Sequence, residues 1–78
     1  MPVAIVLVNA ETGSEDEVVA ELRKIGNVKE SYEVYGVYDV VAKVEAESLD
    51  KLKEIITWKI RKLDKVRSTL TMLVIEDS

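Results

Sequence analysis

Val3-Ala4-Ile5-Val6-Leu7-Val8 is an unbroken apolar run of strand length, rich in β-branched residues. A half-buried strand alternates apolar and polar residues; this one does not, so both of its faces should be covered. Its chain has 78 residues, enough for one domain, 1–78, and one core. The run must therefore lie near the centre of whatever that core becomes.

Two amphipathic helices are predicted around it. Ser14 and Glu17 have the spacing of a capping box, and acids at 15, 16 and 17 suit the positive end of a helix. Val18, Val19, Leu22 and Ile25 then form one apolar stripe, and Gly26 reads as the C-terminal glycine. The second helix starts from Ser48 as N-cap. Leu49, Leu52, Ile56, Ile60 and Leu63 make its core stripe, with Trp58 on nearly the opposite side.

Three more strands complete the pattern. Val28 to Tyr35 alternates, with Val28, Glu30, Tyr32 and Val34 expected on one face, and its charges mark it as an edge. After Gly36, Tyr38, Val40, Ala42 and Val44 should face one way, and Asp39, Val41, Lys43 and Glu45 the other. A last strand from about Arg67 to Ile75 is apolar on both faces beyond Thr71. Strand, helix, strand, strand, helix, strand gives an α+β class: the ferredoxin-like βαββαβ sandwich, a four-stranded antiparallel sheet with both helices on one face. Two helices cover one sheet face only. The open face would carry Val, Leu, Ile and Met, more apolar surface than monomers usually expose, so it should meet a second subunit.

Gly36 between two strand-like runs is a hairpin signal. The Tyr38-Asp39 that follows is harder to explain, because Asp is poorly suited to strands. Gly36-Val37-Tyr38-Asp39 before an apolar strand resembles the effector-binding loop of the Lrp/AsnC regulators, in their RAM domain. Val66-Arg67-Ser68-Thr69-Leu70-Thr71-Met72-Leu73-Val74 resembles the same family's final strand, with its Val-x-x-Thr-x-Thr pattern. The resemblance runs from about Val3 to Ile75. Asp64-Lys65 departs from it, standing where Pro-Gly is common, and no helix-turn-helix is expected before the domain.

The resemblance implies a stand-alone effector-binding and oligomerisation module that binds a small amino acid between subunits. It would form a homodimer, assemble further into an octamer or decamer, and modulate transcription or amino-acid metabolism by co-assembly with a full-length Lrp-like regulator. An amino acid's ammonium needs a carboxylate, and its carboxylate needs N–H groups or hydroxyls. Gly36, Val37, Tyr38, Asp39, Ser68, Thr69 and Thr71 are the expected ligand-binding residues. Each also has a plainer reading. Asp39 serves equally as a turn-capping carboxylate, Thr69 and Thr71 as β-formers, and Arg67 as an edge gatekeeper or a carboxylate partner.

Other chemistries find little support. Histidine and cysteine are absent, which removes the commonest general base, thiolate metal sites and disulfides. No catalytic residues, metal or cofactor are expected. Tyr32, Tyr35 and Tyr38 crowd one hairpin, as in a base-stacking platform, but Glu30 and Glu33 share it and the net charge is −4. Direct nucleic-acid binding is therefore not expected. No apolar run approaches the roughly 20 residues that span a bilayer, and Met1-Pro2-Val3 does not open a signal peptide, so a cytoplasmic location is expected. Abundant Glu and Lys without glutamine fit a thermophilic source. The competing readings are a purely structural assembly module and a small dimeric α+β-barrel-type enzyme.

Overall fold

A computed structural model describes residues 1–75; the last three residues, and so the expected domain end at 78, lie outside the described part. The elements are β1 (Val3–Ala10), α1 (Glu15–Arg23), β2 (Val28–Glu33), β3 (Val40–Glu45), α2 (Leu49–Ile55, continued by one π-helical turn, Ile56–Ile60) and β4 (Val66–Leu73). The sheet is antiparallel in the order β2-β3-β1-β4, the ferredoxin-like arrangement expected. β1 is central, as its apolar run requires.

One face of the sheet makes the core. Ala4, Val6, Val8 and Ala10 of β1 and Val40, Ala42 and Val44 of β3 are buried against Val18, Val19 and Leu22 of α1 and Leu52, Ile55, Ile56 and Ile60 of α2. Burying each large aliphatic side chain is worth roughly 1.5–3 kcal/mol. The alanines are the small partners that let the helices approach the sheet. Ile5 and Leu7, on the other face, are only half-buried within one chain. The expected burial of both faces of β1 is therefore met on one side only.

The two helix starts differ for a geometric reason. Ser48 is extended (φ −140°, ψ 163°), and its Oγ accepts the Lys51 N–H at 3.1 Å. Ser14 (φ −111°, ψ 12°) makes no side-chain cap, so the expected capping box with Glu17 does not form. Gly26 is not the left-handed terminator expected either. The helix leaves through right-handed i−3 bonds, Ile25 N–H to Leu22 O and Val28 N–H to Ile25 O, and among the described residues positive φ occurs only at Gly13 and Gly36.

Three further expectations change. Lys29 is an extra residue in β2, since Val28 pairs with Val44 but Glu30 with Lys43. That bulge reverses the strand's faces: Val28 is buried, whereas Tyr32 lies on the open face and is 50% exposed. Ile55, outside the expected stripe, joins Leu52 and Ile56 in the core, and the helix ends in a π turn closed by Arg61 N–H to Ile56 O. Leu49, expected in the stripe, is 43% exposed, while Trp58 is exposed as expected, with the Lys62 ammonium 5.5 Å from its ring centroid.

Register aligns side chains across the open face. Tyr32, Val41, Leu7 and Leu70 form one row through all four strands; Glu30, Lys43, Ile5 and Met72 form the next. Leu70 and Met72 are each 45% exposed within one chain.

Candidate functional site

The link between β2 and β3 is wider than a hairpin turn. β2 ends at Glu33 and β3 begins at Val40, leaving Tyr35 and Tyr38 outside the strands. The loop is closed by Val34 N–H to Asp39 O at 2.8 Å, and Gly36 has φ +152°, a conformation costly for residues with a Cβ. Asp39 anchors the loop's far end. Its backbone N–H donates to Val8 O at 3.0 Å, and its Oδ2 accepts the Ala10 N–H at 3.2 Å. The carboxylate is thus fixed over the C-terminal end of β1.

Two depressions meet at Asp39. One, of about 550 Å³, is bordered by Gly36, Glu15, Asp16 and Glu33. Its acids interact: a hydrogen bond with Asp16 holds the Glu33 carboxyl above the usual range, with desolvation and the negative charges of Asp16 and Glu15 adding to the effect and Arg23 opposing it. The other, of about 390 Å³, is lined by Asn9, Ala10, Thr12, Asp39, Arg67 and Ser68. Here Asn9 Nδ2 donates to Ser68 Oγ at 3.3 Å.

The fold brings together some expected site residues and separates others. Asp39 and Ser68 share the second depression, and Gly36 borders the first beside Asp39. Val37 is 85% exposed and, like Tyr38, borders neither. Thr69 and Thr71 pair with Val8 and Val6, which places them on the helix-side face, opposite to Ser68 and Asn9. Asn9 and Thr12 were not among the expected residues. They follow a strand that reads only as core, and nothing short of the sheet topology places them beside Asp39.

The sequence profile of the Lrp/AsnC ligand binding domain matches residues 3–78. The chain belongs to the Lrp/AsnC ligand-binding domain family. A 59-residue stretch, 76% of the chain, is 32% identical to the regulatory protein AsnC of Escherichia coli K12, covering 39% of that protein. An alignment of the same length is 44% identical to homocitrate synthase of Saccharolobus islandicus, covering 13% of it. The structure is similar to that of a hypothetical protein of Pyrococcus horikoshii, with a TM-score of 0.91 and 42% identity over 99% of this chain and 93% of that one. The matched stretch of this Lrp/AsnC domain thus spans well under half the length of these curated proteins. Most of its named relatives are regulators, and no helix among the described residues is long and apolar enough to cross a membrane.

Proposed function

We propose that residues 1–78 are one effector-binding and oligomerisation domain, which takes a small amino acid at a subunit interface and modulates transcription or amino-acid metabolism. It does so without a reaction of its own, by co-assembly with a DNA-binding regulator of its family. The observation that carries this reading is the shared depression of Asp39 and Ser68. A carboxylate held by one backbone hydrogen bond faces space beside a hydroxyl, as an ammonium and its neighbouring carboxylate require. The family's relatives support it from another side. Segments of 59 residues match both a regulatory protein and a synthase, which supports a module separable from either protein's own activity. An effector-responsive module suits both.

The open sheet face supplies the assembly surface. Its row of Tyr32, Val41, Leu7 and Leu70 suits the same face of a second copy, giving a dimer that associates further into a closed ring. One observation favours the purely structural reading: the Asp39 carboxylate already has a backbone partner in Ala10. A thermal-shift screen of the twenty amino acids separates the two. An effector module melts higher with at least one of them, through mass action on the folded state. A scaffold melts at one temperature with all.

A further inference from the structure

β1 and β4 fall out of register at the lip of the Asp39 depression. Asn9 lies opposite Ser68 and Ala10 opposite Val66, so Arg67 has no partner residue. This is a β-bulge, a feature that re-aims side chains beside functional sites. Arg67 consequently lines the depression together with Ser68 instead of alternating away from it. Among the described residues it joins none of the ion pairs, although Asp39 lines the same space. A cation and an anion in one depression, without a bridge between them, match the two ends of a zwitterion.

We infer that Arg67 is the carboxylate-binding and selectivity-determining residue of the effector site, and that the effector is an α-amino acid with a short, hydrogen-bonding side chain. This rests on the effector-binding reading above. The guanidinium offers a planar fork of donors matched to a carboxylate. Asp39 takes the ammonium at the other side. The neighbouring depression cannot accept the carboxylate, because Glu15, Asp16 and Glu33 border it. What remains for the side chain is polar. The Asn9 amide donates to Ser68 Oγ, which leaves Asn9 Oδ1 free to accept and the Ser68 hydroxyl hydrogen free to donate. Thr12 adds a second hydroxyl, and Ala10, itself buried, is the one apolar residue of the lining among the described residues. A branched aliphatic side chain would find little apolar surface there and would desolvate these groups without pairing them.

Calorimetric titration tests this with L-serine, L-asparagine, L-leucine and L-methionine, and with the carboxamide of each, against wild type, Arg67→Gln and Arg67→Lys. Wild type should bind the polar pair at least about tenfold more tightly than the aliphatic pair. Loss of the ligand carboxylate should weaken binding on the order of tenfold to a hundredfold, the worth of a charge-assisted pair. In Arg67→Gln the amino acid should fall to the level of its carboxamide, whose own affinity stays unchanged; Arg67→Lys should lie between. The wild-type comparison of acid with carboxamide needs no variant, so it decides even if a variant folds poorly. Equal binding of acid and carboxamide, wild-type affinity in Arg67→Gln, or tighter binding of leucine or methionine overturns the role of Arg67 and leaves the effector reading standing. If none of the twenty amino acids binds wild type, both fall.

Discussion

Asp39 and Ala10 are joined across the rim of the sheet: the Ala10 N–H donates to Asp39 Oδ2 at 3.2 Å. Ala10 sits at the bulge between β1 and β4, and this bond ties it to the β2–β3 loop. The carboxylate thus has a structural partner as well as a position facing the depression. The two roles predict different outcomes for two substitutions. Asp39→Asn retains an oxygen for Ala10 and loses only the charge. Folding should barely change, and amino-acid affinity should fall on the order of tenfold to a hundredfold. Asp39→Ala also strands the Ala10 N–H and should lower stability by about 1–3 kcal/mol. Urea unfolding and calorimetric titration of both variants check this. Equal amino-acid affinity in wild type and Asp39→Asn would reduce Asp39 to a clasp.

Met72 and Leu73 are adjacent but face opposite sides of the sheet. Met72 pairs with Ile5 on the open face, and Leu73 with Ala4 on the helix side. If the open face is the subunit interface, Met72→Glu puts an unpaired charge into it twice per dimer, at a cost of several kcal/mol. Light scattering should then find the 8.8 kDa monomer. Leu73→Glu, at a 43% exposed edge position outside that face, should leave the assembly intact. Dissociation by Leu73→Glu alone would place the interface on the other side.

Long-range architecture was legible where periodicity carries it. The apolar run of β1 announced a central strand, and Val18, Val19, Leu22, Leu52, Ile56 and Ile60 marked the core stripes of both helices. Single-residue irregularities were not legible. Nothing in Val28-Lys29-Glu30 signals the bulge that turns Tyr32 outward, and nothing in Val66-Arg67-Ser68 signals the one beside the depression that Arg67 and Asp39 both line. Both depend on partner strands distant in sequence. The site was half-legible for the same reason. Asp39 stood out as a misfit in a strand, but period-two alternation separates Thr69 and Thr71 from Ser68, and only topology adds Asn9 and Thr12.

Ser31 is buried on the helix side of β2, and its Oγ has no hydrogen-bond partner. The bulge at Lys29 puts it there, opposite Ala42. Its carbonyl, by contrast, accepts from Arg23 Nη2 at 3.3 Å, a bond independent of its side chain. Ser31→Ala removes a desolvated hydroxyl without opening a large void, and should stabilise the fold by about 1 kcal/mol. A raised urea midpoint with unchanged slope is the expected result. A loss of stability would mean that the hydroxyl is satisfied in solution.

Glu33 supplies a pH dependence of unusual sign. Its carboxyl is held above the usual 4.5, first by the hydrogen bond with Asp16, then by desolvation and the charges of Asp16 and Glu15. A carboxyl whose folded pKa lies above its unfolded value binds its proton more tightly in the folded state. Its contribution is complete below the unfolded pKa and is lost as pH rises through the folded one. Most carboxylates with cationic partners act oppositely, so the total stability curve hides the effect. The difference between wild type and Glu33→Gln isolates it, because all other groups are common to both. Melting temperatures taken from about pH 4 to pH 7 should show wild type losing ground to Glu33→Gln as pH rises above 4.5. Asp16→Asn should flatten that trend, since it removes the partner that shares the proton. Because Glu33 is solvent-exposed, salt should shrink the trend as well. Two melting curves that run parallel across this range would mean that Glu33 holds its proton no more tightly in the folded chain than in the unfolded one.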